Sequence, residues 1–110
     1  MAKSDFQNLS REEKVSELVE ALLLNEMGVV DPTYTRSYQE AKAATIDAAD
    51  RMRLDQDYWK RANKLRTEGK TSSVDELKAQ AEKMVDYTPQ ERLEAMSELA
   101  CEARQRAAAK

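Results

Sequence analysis

Apolar residues recur three and four positions apart along much of the chain, the spacing of helices that each bury one face. The clearest set is Val15, Leu18, Val19, Leu22, Leu23, Leu24 and Met27. Leu23 and Leu24 widen its stripe, which suits the central helix of a core, or a helix touching both core and partner. Ser10 and Glu13 form a capping box ahead of it: the serine hydroxyl accepts from the Glu13 amide while the carboxylate reaches back. The pattern predicts a first helix over 11–27, with Gly28 as its left-handed stop.

Asp31-Pro32 is a helix start in its own right, and Ser37 with Glu40 is a second capping box. The favoured reading is a short turn over 32–36 and a main helix over 38–68, since neither Gly nor Pro interrupts before Gly69. Such a helix spans about 46 Å at about 1.5 Å per residue. A compact domain of this length has a radius of gyration near ~13 Å. The helix is therefore either continuous, the favoured alternative, with an end that protrudes or pairs with another chain, or kinked with Asp55 as a new N-cap. Its first half carries Ala41, Ala44, Ile46, Ala48, Ala49 and Met52, and its second half Leu54, Tyr58, Trp59, Ala62 and Leu65.

Capping boxes at Ser73/Glu76 and Thr88/Glu91 announce two more helices, over 74–86 and 89–107. Pro89 sits at the first helical position of the last one. The fold class is all-α: a small helical bundle of four main helices in one domain over 10–107. Residues 1–9 read as a flexible lead-in on which Phe6 and Leu9 dock. Residues 108–110 end a basic, Ala-rich tail from Arg104 onward that is expected to fray.

Composition agrees: only two Gly and two Pro stand among 110 residues, with 35% of them charged. The net charge of −3 gives no global drive toward nucleic acid or anionic membrane. It is uneven, because residues 38–70 hold eight Lys and Arg against six Asp and Glu, while the flanks are acidic. The single cysteine, Cys101, allows no internal disulfide, and its neighbours Leu99 and Ala100 suggest a packed thiol. The longest apolar run, Ala21 to Leu24, is far short of a membrane span of about 20 residues. A cytoplasmic location is expected, with no membrane association.

Candidate chemistry is sparse. The chain has no histidine, the commonest metal ligand and general base. Gly28 and Gly69 are too far apart for a phosphate loop. Glu91, Glu94, Glu98 and Glu102 form a strip that reads as a solvated acidic face. Asp47/Arg51, Asp57/Arg61 and Glu102/Arg106 are spaced for local ion pairs. The expectation is a non-enzyme without metal or cofactor.

The most distinctive stretch is Tyr58-Trp59-Lys60-Arg61-Ala62-Asn63-Lys64-Leu65-Arg66, with the only tryptophan beside a cluster of basic residues. Leu54, Tyr58, Trp59, Lys60, Arg61, Lys64 and Arg66, with Leu23 from the first helix, are the candidate partner-binding residues. They suit a protein partner, with apolar anchors and a charged rim, and self-association as a dimer. Nucleic acid over residues 51–70 is the alternative, weakened by Asp55, Asp57 and Glu68, which dilute the positive patch. The profile is that of a small bacterial or phage accessory protein: an adaptor, inhibitor or assembly component.

Overall fold

The computed structural model describes residues 6–108. Phe6–Asn8 form a 3-10 turn, followed by α1 (Arg11–Val30), α2 (Pro32–Ala44), α3 (Ala48–Thr67), α4 (Val74–Met84) and α5 (Pro89–Ala108). Among the described residues there is no strand, and no helix is long and apolar enough to cross a membrane. The fold is all-α, with five α-helices in place of the expected four.

The difference lies in the expected 38–68 helix, which is neither continuous nor broken at Asp55. It starts earlier, at Pro32, and breaks at Thr45-Ile46-Asp47. Two β-branched residues in succession restrict their own side-chain rotamers against the preceding turn. Asp47 then supplies a strong cap, its carboxylate accepting from the amides of Ala49 (2.8 Å) and Asp50 (3.2 Å). Arg51 completes the corner by donating to the Thr45 carbonyl at 3.0 Å. The Ser37/Glu40 box is not used, because Ser37 already lies inside α2, where Glu40 pairs with Arg36 at 3.2 Å.

The other three boxes form as the sequence predicts, at Ser10/Glu13, Ser73/Glu76 and Thr88/Glu91. Gly28 does not stop α1, which runs on to Val30; Pro32 stops it by disfavouring helical geometry at Asp31. Gly69 does act as a stop, with φ of 74°. Its amide donates to the Arg66 carbonyl and that of Lys70 to the Leu65 carbonyl, both at 2.9 Å, which is a Schellman closure of α3.

α1 is the central element and packs on α2, α4 and α5, while α3 lies mainly against α2. Leu18, Leu22, Leu23 and Met27 of α1 meet Tyr38, Tyr58, Ala62, Leu65, Leu77, Ala81 and Met84 in one core. The molecule measures 45 × 33 × 21 Å. Phe6 packs against this core with the Arg92 guanidinium 4.5 Å from its ring centroid, so part of the lead-in is docked. Residues 1–5 of that lead-in and residues 109–110 of the expected frayed end lie outside the described residues. Ala108 is still helical.

Candidate interaction surface

The α2–α3 corner folds α3 back, and this sorts the 54–66 stretch into two faces. Tyr58 is buried and Leu54 half-buried, on the side facing the body. Tyr58 stacks on Tyr38, with ring centroids 4.6 Å apart and planes at 21°. The Tyr38 hydroxyl donates to Asp55 at 2.9 Å and accepts from Lys42 at 3.1 Å. Burial pushes both phenols above their ordinary pKa, with the Glu20 carboxylate adding to the effect at Tyr58. The hydrogen bond to Tyr38 raises Lys42. These groups keep their protons near neutral pH. A groove of about 660 Å³ opens above it between Glu17 and Glu20 on one wall and Lys42 and Arg51 on the other.

Arg61 also turns inward. Its Nε donates to Asp31 Oδ2 at 2.6 Å, and its guanidinium lies 5.4 Å from the Tyr34 ring centroid. Leu23, expected as a possible anchor on α1, lies within the core at 5% exposure. Leu23, Tyr58 and Arg61 therefore hold the monomer together.

Trp59, Lys60, Lys64 and Arg66 remain exposed on the outer face of α3. Arg66 donates to Asn63 at 3.2 Å. Neither Lys60 nor Lys64 makes an ion pair with a described residue. Helical spacing puts Arg53, Asp57, Lys60 and Lys64 along one stripe, in which Arg53 pairs with Asp50, and places Met52 and Trp59 about 100° around the helix from it. Met52 is 64% exposed and Trp59 40%, and Trp59 keeps one edge against the Tyr58 ring at 5.1 Å. Leu54 is not part of this patch; Met52 takes that place, and its seven-residue spacing from Trp59 was the signal in the sequence. Ile46, at the corner, is 89% exposed.

One arrangement had no local signature. Glu26 of α1 is buried, and its carboxylate accepts from both the amide and the hydroxyl of Ser72, each at 2.7 Å. Arg106 of α5 approaches the same carboxylate at 3.9 Å. The three arginines spaced for local pairing thus go elsewhere: Arg51 to a backbone carbonyl, Arg61 to Asp31 and Arg106 to Glu26. Cys101 is exposed rather than packed. Among the described residues no group of three or more His, Cys, Asp or Glu side chains is placed to hold a metal ion. No protein-family model, curated protein sequence or solved structure matches the chain.

Proposed function

We propose that the chain is a non-enzymatic interaction protein, an adaptor, inhibitor or assembly component, that self-associates and binds through the outer face of α3. The observation that carries this reading is the exposed Met52–Trp59 row lying beside the unpaired Lys60 and Lys64. Large apolar side chains are costly to leave in water, and a tryptophan ringed by charge is the usual anchor of a protein contact. The proposal carries with it a reducing, cytoplasmic setting, in which the exposed Cys101 thiol stays free.

The test is a photo-crosslinking amino acid at position 59, activated in the native host, with the same probe at exposed Glu82 as control. Protein adducts at 59 that are absent at 82 are expected. Equal adducts, or none, would overturn the reading.

Nucleic acid is the second reading, because Trp59 is open for stacking beside two free lysines. It predicts salt-sensitive binding to DNA or RNA that weakens in Lys60→Ala/Lys64→Ala. Asp57, exposed next to the basic row, and the net charge of −3 weigh against it.

A further inference from the structure

We infer that the groove between α1 and the α2–α3 corner binds a small linear zwitterion, an amino acid whose ammonium and carboxylate stand at opposite ends of a methylene chain. The site goes beyond the interaction reading above, since none of Trp59, Lys60 and Lys64 lines the groove. Its volume, about 660 Å³, falls within the range of about 300–1,000 Å³ common to small-molecule sites.

The Tyr58 hydroxyl points to a ligand. Tyr58 lines the groove and is 2% exposed, yet its hydroxyl has no hydrogen-bond partner among the described residues. Among those residues the sealed side-chain atom without a partner is the Thr71 hydroxyl, so the Tyr58 oxygen is open to the groove. Buried hydroxyls are nearly always bonded, and the groove is the side from which a partner can come.

The walls set the ligand's charges. Glu17 and Glu20 on α1 are exposed and make no ion pair with a described residue. Glu20 is near enough to Tyr58 to raise the phenol pKa. An ammonium in this corner donates to the Glu20 carboxylate and to the Tyr58 oxygen together. On the opposite wall Lys42 is already engaged, 3.4 Å from Asp55 and 3.1 Å from the Tyr38 hydroxyl. Arg51 gives only its Nε, to the Thr45 carbonyl, and keeps both terminal nitrogens for a carboxylate. A ligand of one sign would be attracted by one wall and repelled by the other. Packed helices stand about 8–10 Å apart axis to axis, so a ligand that meets both walls has its charges several bonds apart. Half-buried Ala21 and Leu24 offer the apolar surface that a methylene chain covers.

The experiment is a titration of the full chain, followed by amide chemical shifts, with three probes of equal chain length: 6-aminohexanoate, hexane-1,6-diamine and adipate. Saturable shifts at Ala21, Leu24 and Ala43 are expected with 6-aminohexanoate. The diamine and the diacid are expected to bind at least about tenfold more weakly. Tyr58→Phe removes a hydroxyl that bonds to no described residue, so its thermal melt should match or exceed the parent's, while 6-aminohexanoate binds about fivefold more weakly. Glu20→Gln, at an exposed position, is expected to weaken binding by at least as much. Lys60→Ala/Lys64→Ala should bind the probe as the parent does. No saturable shift in the groove, equal binding of the diamine or the diacid, or unchanged binding in Tyr58→Phe overturns the inference. These results leave the outer face of α3 untouched, so the crosslinking test at position 59 stands or fails separately.

Discussion

Tyr38 and Tyr58 stack face to face across the α2–α3 corner, and the Tyr38 hydroxyl is shared between Asp55 and Lys42. This pair joins α2 to α3, beside the contact of Arg61 with Asp31 and the Tyr34 ring. Tyr58 is 2% exposed. Tyr58→Ala is expected to cost about 3–5 kcal/mol, the range for truncating a buried aromatic. Tyr38→Phe keeps the ring and loses the hydroxyl bonds, at about 1 kcal/mol. Urea unfolding followed by circular dichroism separates the two.

Glu26 ties three elements to one buried carboxylate. Glu26→Ala leaves the Ser72 amide and hydroxyl without their acceptor, while Arg106, half exposed, returns to water. The expected loss is about 2–3 kcal/mol, arising mainly at Ser72. Amide exchange at Ser72 should accelerate more than at Leu77 in the core of α4, and equal acceleration at both would contradict this assignment.

The two glycines should respond in opposite directions. Gly28 lies inside α1, and a Cβ there meets only the Thr35 methyl at 4.0 Å, an ordinary contact. Gly28→Ala is expected to stabilise by up to about 1 kcal/mol. Gly69 holds a left-handed conformation that alanine resists, so Gly69→Ala is expected to destabilise by about 1 kcal/mol. Thermal melts of the two variants give the signs directly.

The capping boxes make stability depend on acid. Glu13 and Glu76 sit below the ordinary carboxyl range, held there first by the backbone amides of Ser10 and Ser73 and then by the serine hydroxyls. A carboxyl lowered by folding contributes its stability above the unfolded pKa, near ~4.3, and loses it as pH falls through the folded value. Glu13→Gln/Glu76→Gln should therefore be less stable than the parent near neutral pH. The gap should narrow as the pH falls below the unfolded carboxyl pKa. A gap that is constant across this range would exclude the carboxylate charge as the cause.

Much of this architecture is legible in the sequence, because caps and stops act locally. Ser10, Ser73, Thr88 and Gly69 each declare a helix end through partners a few residues away. Ser37 has the same local signature yet is silent, since Pro32 and Asp31 have already started the helix. The corner at Thr45-Ile46-Asp47 carries no Gly or Pro, and its signal, two β-branched residues before an aspartate, is weaker than the absence of breakers suggested. The candidate surface was half legible. Periodicity found Trp59, Lys60 and Lys64, but which side of α3 faces the body depends on the Tyr38–Tyr58 stack. That stack drew Tyr58 and Leu54 inward and left Met52 out. Glu26 was invisible because its partners, Ser72 and Arg106, lie far along the chain.

The position of α1 has a consequence for how the molecule is made. Its stripe from Leu18 to Met27 is translated first, yet α4 and α5, which cover much of it, are translated last of the five helices. Until Pro89–Ala108 has left the ribosome, the part of that stripe against which Met96 and Leu99 pack stays open. A product shortened before α5 would leave that part exposed to apolar surfaces nearby, so premature termination should yield a more aggregation-prone chain than the full one.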